Sequence, residues 1–232
     1  MHGFQDARLA AAALAASTLA AFTLPATAAV VGHVETFDLD TDNWQQGTTS
    51  TTVVHGAAGG NPGGYLELRK ILGGFSDIAA QNVTDPEVLG DYGAAGVSEV
   101  TVDLNMFNSS VEGAYVRFRR NASENGWLYG FGPINPDGNQ WSTYSTGFFD
   151  ASWTDAEARL AGWVTDDDLS PAVDPSPSFA DVMAGVGRAS VRFATAPSDS
   201  VLIGVDNYRL VPEPASWMLS GLVAAAVLRR RR

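Results

Sequence analysis

The chain has no cysteine and a single lysine, Lys70, in 232 residues. The first absence excludes a disulfide framework, thiolate metal sites and a cysteine nucleophile. The second belongs to a wider shortage of positive charge. Only 14 basic residues stand against 26 acidic ones, and the formal charge is −12. Such a surface repels phosphate backbones and anionic lipid, so nucleic acid is excluded as a partner. Histidine is as scarce, with His2, His33 and His55 all outside any motif. There is no Gly-x-Ser-x-Gly, no His-Glu-x-x-His and no phosphate-binding loop. A glycosidase needs two carboxylates held a few ångströms apart, and abundant acids are no evidence for such a pair. The sequence therefore points away from an enzyme. Long Glu/Lys/Leu/Ala helical patterns are also missing from the middle, whereas Gly, at 24 residues, and Pro, at 11, are plentiful.

Both ends read as removable segments. Met1 to Arg8 is short and polar, Leu9 to Leu24 is apolar, and Pro25 ends the run. Ala26-Thr27-Ala28 then offers the small-x-small pattern that signal peptidase accepts. Residues 1–29 are thus expected to be a secretory signal, forming a signal helix cut after Ala28 or Ala29. At the other end, Val211-Pro212-Glu213-Pro214 precedes an apolar stretch, Ala215 to Leu228, and the cluster Arg229, Arg230, Arg231, Arg232. Fourteen apolar residues fall short of the roughly 20 of an ordinary spanning helix. The arginines favour the cytoplasmic side, which puts the middle of the chain across the inner membrane. Without these ends, nine basic residues face 24 acidic ones, a balance of −15.

The order Val-Pro-Glu-Pro, apolar helix, arginine cluster closely resembles the PEP-CTERM sorting signal. The resemblance covers residues 211–232, about a tenth of the chain. It implies processing near Pro212-Glu213-Pro214 by exosortase, a membrane protease of Gram-negative bacteria that make extracellular polysaccharide. It further implies delivery to the cell surface or matrix, with the hydrophobic helix as a transient anchor. Two prolines keep the site extended and out of the helix.

Residues 30–210 form one domain of short strands and turns. Val100, Val102, Leu104 and Met106 alternate with Thr101, Asp103 and Asn105. Tyr115, Arg117 and Arg119 alternate with Val116 and Phe118. Val31–Phe37, Thr49–Val54, Tyr65–Leu68, Trp127–Phe131, Trp141–Phe148, Ser190–Ala194 and Val201–Leu210 read as further strands. Gly56 to Gly64 reads as a loop, and so does Val164 to Phe179 with its Asp166-Asp167-Asp168 triplet. Thr154–Gly162 reads as a short helix or a loop, and Phe179–Val186 as a helical turn. Eight to ten short strands predict an all-β antiparallel β-sandwich, a jelly roll, with its first and last strands adjacent.

Three segments carry a second resemblance: Glu35-Thr36-Phe37-Asp38, Gly59 to Leu66, and Val205-Asp206-Asn207-Tyr208-Arg209-Leu210. They look like the galactose-binding-like β-sandwiches, including laminin-B-type and carbohydrate-binding modules. That family implies a structural calcium site near the paired first and last strands. The residues themselves allow it. Hard cations take six to eight oxygens, and Glu35, Asp38 and Asp206 are candidate ligands. A solvated acidic turn is the alternative reading of the same residues. An EF-hand is excluded, because Asp38, Asp40 and Asp42 lack both the turn glycine and the closing glutamate.

Sugar sites stack flat aromatic rings on the apolar faces of pyranoses. Trp127 and Trp141, which flank the turn from Asn135 to Asn139, are the candidate platforms. The leading reading is an exported, non-catalytic surface or matrix protein associating with extracellular polysaccharide. A carbohydrate-binding module with structural calcium is the second reading, and a secreted polysaccharide hydrolase the third.

Overall fold

The computed structural model describes residues 29–70, 77–107, 111–134, 139–169, 175–197 and 200–214. Among them are twelve strands and four short helices. The strands are β1 (Val34–Glu35), β2 (Trp44–Gln46), β3 (Thr51–Gly60), β4 (Gly63–Lys70), β5 (Asp77–Asn82), β6 (Val97–Asn105), β7 (Gly113–Arg119), β8 (Trp127–Phe131), β9 (Ser142–Ser145), β10 (Trp163–Thr165), β11 (Arg188–Ala194) and β12 (Leu202–Pro212). The helices are α1 (Tyr92–Ala95), α2 (Asp155–Leu160), α3 (Asp166–Leu169) and α4 (Phe179–Met183). The expected signal helix and C-terminal apolar helix lie outside the described residues. No described helix is long and apolar enough to cross a membrane.

Two antiparallel six-stranded sheets face each other. The first runs β3-β4-β12-β6-β9, with β1 also on β12, and the second β10-β8-β7-β11-β5-β2. The first and last strands do pair, Val34 opposite Arg209 and Glu35 opposite Tyr208. The expected β-sandwich is therefore the fold. Its core takes one side of each alternating strand, because successive residues of a strand point to opposite faces. Leu66, Val102 and Val205 come from the first sheet, and Ile78, Val116 and Val191 from the second. Burying each such side chain contributes roughly 1.5–3 kcal/mol. The gap at one end of the sheets is filled by aromatics: Trp163 packs on Phe118, Phe149 and Phe179.

The helices follow from local chemistry. Thr154 caps α2 and Glu157 returns the hydrogen bond to the Thr154 N–H, a complete capping box. Ser178 caps α4, whose Phe179, Val182 and Met183 turn inward, as their spacing predicts. Two segments depart from expectation. The glycine-rich stretch is not a loop but the hairpin of β3 and β4, which turns at Asn61-Pro62. The Asp166-Asp167-Asp168 triplet is not exposed loop but α3, and the Asp166 side chain is only 12% exposed.

Candidate functional site

The outer face of the second sheet collects the chemistry. Where Val116, Phe118, Val191 and Phe193 point inward, alternation sends Tyr115, Arg117 and Arg119 of β7 outward, with Arg188, Ser190 and Arg192 of β11. Register sets Arg119 beside Arg188, Arg117 beside Ser190, and Tyr115 beside Arg192. β5 adds Gln81 next to Ser190. Above this floor stands α3. Its Asp166 pairs with the Arg117 guanidinium, lies 3.7 Å from that of Arg192, and accepts the Gly126 N–H at 2.7 Å. Arg192 also donates to Asp77 at 2.7 Å, and Arg188 to Gln81 at 2.9 Å.

Positive charge is crowded here. Burial pushes the Arg117 guanidinium down to about 9, Arg119 and Arg192 push the same way, and Asp166 opposes them. Arg119 is pushed down to about 10, again by burial first, with Arg188 and Arg192 adding. Guanidinium groups stay protonated in proteins, so the shifts mark first the burial of these two side chains and only second the crowding of arginines. The Nε–H groups of both Arg117 and Arg119 are buried without an acceptor among the described residues.

A cavity of about 280 Å³ opens at one end of the face, between Asp77, Tyr115, Leu128, Leu169 and Arg192. The Tyr115 ring lies down along the sheet. A Cβ on Gly130 would sit 3.4 Å from it, and one on Gly113 only 2.7 Å from its hydroxyl. Two glycines thus make room for a recumbent ring. The chemistry on offer is that of binding: a flat aromatic, forked cation donors, and carboxylates already paired to arginine.

The sequence-predicted platforms fare differently. Trp127 is 1% exposed. Its Nε1–H donates to the Pro177 carbonyl at 2.9 Å, and Phe179 and Arg159 cover the ring. It has no free face, so it is a core residue and not a platform. Trp141 is half-buried on the other sheet. It meets Tyr65 and Phe107 edge-on and donates to the Gly59 carbonyl at 2.8 Å. Residues 135–138 of the turn between the two lie outside the described residues. Tyr115 and the arginines were visible in the alternation of β7, but joining them to β11 requires the register.

Glu35, Asp38 and Asp206 do not come together as one triad. Asp38 and Asp206 flank the β3–β4 turn: Asp38 accepts from the Gly64 N–H at 3.1 Å, and Asp206 from the Asn61 N–H at 2.5 Å. Asp38 occupies the place a Gly63 side chain would need, 1.9 Å from its Cβ position. A bulge in β12 after Asp206 turns Asn207 toward the same turn, where its amide donates to Asp103 at 2.8 Å. Burial pushes the Asp206 carboxyl up to about 6; the Asn61 and Asn207 N–H groups pull against it, and Asp103 and Asp38 push with it. These all-oxygen donors suit a hard cation. Glu35 belongs to a second cluster. His33, Glu35 and Asp85 hold their ligand atoms within 4.8 Å of one another. Burial, then Asp42, Asp85 and Glu87, pushes Glu35 up to about 9.

The start of the tail motif is part of the body. Val211 and Pro212 close β12, opposite Glu99 and Val97 of β6. The Glu213 N–H donates to the Gly96 carbonyl at 3.1 Å, and Glu213 borders a cavity of about 420 Å³ with Gly96, Asp91 and Asp150. Arg229 to Arg232 lie outside the described residues.

Residues 210–232 match the family of the PEP-CTERM protein-sorting motif. None of the curated proteins is similar to the chain in sequence. Several solved structures align with it at low identity. An exo-β-agarase is 14% identical with a TM-score of 0.50, over 78% of this chain and 26% of that one. A family 11 carbohydrate-binding module from a cellulosomal cellulase of Clostridium thermocellum is 16% identical with a TM-score of 0.49, over 80% and 97%. A xylan-binding domain of family 22 is 11% identical with a TM-score of 0.45, over 78% and 96%. The chain thus carries a PEP-CTERM motif, which indicates an exported protein sorted through the membrane and implies processing by exosortase.

Proposed function

We propose that this exported chain is a non-catalytic protein of the cell surface or extracellular matrix of a Gram-negative bacterium, and that it holds extracellular polysaccharide on the outer face of its second sheet. Signal peptidase removes residues up to Ala28 or Ala29, and exosortase acts near Pro212-Glu213-Pro214. The observation that carries the reading is the pairing of an export address with a face built to bind: the recumbent Tyr115 ring beside a mostly apolar cavity that Asp77 and Arg192 border. Sugars are recognised by such rings together with a few placed polar groups. On this reading the face binds and does not react, with its carboxylates Asp77 and Asp166 engaged by Arg192 and Arg117. Calcium belongs to the proposal as a structural ion at the β3–β4 turn, with Asp38 and Asp206 as ligands.

The test has two parts. Mass spectrometry of the mature chain, from cells with and without the exosortase, reads both ends. Co-sedimentation with the native matrix polysaccharide then reads binding. A chain found uncut in cytosol, or one that ignores polysaccharide, defeats the proposal.

A further inference from the structure

Between residues 30 and 212 there are only nine basic side chains, and four of them, Arg117, Arg119, Arg188 and Arg192, stand on this one face. Among the described residues, two carboxylates pair with them from the packed elements: Asp166 of α3 and Asp77 of β5. Asp167 of α3 is turned to Asn125 and to the Ser176 N–H, and Asp168 to Thr165 and Arg159. Four guanidinium groups against two carboxylates leave a positive surplus, in a chain whose total is −12. The second observation is independent of the tally. The Arg117 side chain is only 9% exposed, and its Nε–H has no acceptor among the described residues; the Arg119 Nε–H shares that state. These two buried donors mark a face short of acceptors, and the partly exposed Arg192, Arg188 and Arg119 are what an anion can reach.

We propose that the polysaccharide held on this face is acidic, a polymer of carboxylate-bearing sugars. The inference rests on the reading of the face as a polysaccharide site. A guanidinium fork meets a carboxylate with two parallel hydrogen bonds. Arg192, 20% exposed at the wall of the cavity, is the first contact, with Arg188 and Arg119 next along the face. The sugar ring lies on Tyr115, its carboxylate toward Arg192. The spacing of arginines down β7 and β11 lets successive acidic units engage in turn.

Titration of the full-length chain in mild detergent against polygalacturonate, polyglucuronate, dextran, xylan, dextran sulfate and single-stranded DNA tests this. The expected result is binding to the two polyuronates. Arg192→Gln, and separately Arg188→Gln, weakens it by about tenfold, as does raising salt from about 50 to about 300 mM. Tyr115→Ala weakens it as well, with the thermal midpoint of each variant near that of the parent. If one arginine variant fails to fold, the other reads the same quantity. Binding to dextran or xylan that is indifferent to both arginine variants overturns the acidic ligand and leaves the polysaccharide reading standing. Equal binding to dextran sulfate or DNA overturns carboxylate recognition. Binding to none of the polymers overturns the proposal and the reading beneath it.

Discussion

The Glu213 N–H is hydrogen-bonded to the carbonyl of Gly96, so the sorting motif begins inside the sheet and not beyond it. A protease must take its substrate as an extended strand, yet here Val211 and Pro212 are already paired with β6. Processing is therefore expected to wait on fraying of the last two residues of β12. A short Gly-Ser spacer placed between Leu210 and Val211 leaves Leu210 buried and frees the motif. Pulse–chase labelling in cells should then show faster conversion to the processed form; an unchanged rate argues that the enzyme reads the docked motif.

Trp127 is expected to answer to stability and not to ligand. Trp127→Ala empties a packed site between Phe179 and Arg159, a loss of about 3–5 kcal/mol readable as a drop in the denaturant midpoint. Trp141→Ala, with part of its ring already in water, should cost clearly less. A reversed order would mean that the core is packed otherwise.

Asp166→Asn removes the carboxylate from the nearly buried pair with Arg117. Breaking such a pair from one side costs about 3–5 kcal/mol, because the remaining charge is stranded. Asp166→Asn combined with Arg117→Met should recover much of that loss in urea unfolding. No recovery would show that the two do not act as a pair.

Calcium is expected to raise the melting temperature of the protein, and a chelator to lower it. Asp206→Asn keeps only one of the hydrogen bonds from the Asn61 and Asn207 N–H groups, because these go to different carboxylate oxygens and an amide has one acceptor oxygen, and it loses the charge. It should abolish the calcium-dependent shift while melting below the parent's chelated value. A parent insensitive to both calcium and chelator removes the ion from the proposal.

Acid should loosen α3. The Thr165 N–H and hydroxyl, and Arg159, hold the Asp168 carboxyl down to about 2. A depressed native value gives stability that is complete above the ordinary aspartate range, near about 4, and is lost as pH falls toward about 2. Amide exchange at Thr165 should therefore speed up across that window, and Asp168→Asn should exchange fast at every pH. Protection that ignores pH there would remove Asp168 as the latch.

Much of this molecule was legible in its sequence, and the exceptions share a cause. The alternation at Val100, Val102 and Leu104 predicted β6, and Thr154–Gly162, which reads as a short helix or a loop, holds α2. By contrast β5, with Ala79 and Ala80 at its centre, carries no β-branched signature, and β2 and β10 span three residues each, too few to show a period. Glycine has no side chain to alternate, so the β3–β4 hairpin looked like a loop. Trp127 stands beside polar turn residues, and neighbours along the chain do not report what covers a ring. The arginine face joins β7 to β11 across some seventy positions, and only pairing register brings those rows together.

The position of β12 governs when this body can close. It lies between β4 and β6 and also receives β1, so without it the first sheet falls into the β3–β4 pair, the β6–β9 pair and an unpaired β1. Vectorial secretion delivers that strand after all the others described. Much of the protein must therefore wait, half-assembled, outside the cell membrane until nearly the last residue ahead of the tail has crossed. The final threading step and the closing of the fold become a single event, and a chain stalled just short of it would be the form most open to quality-control proteolysis.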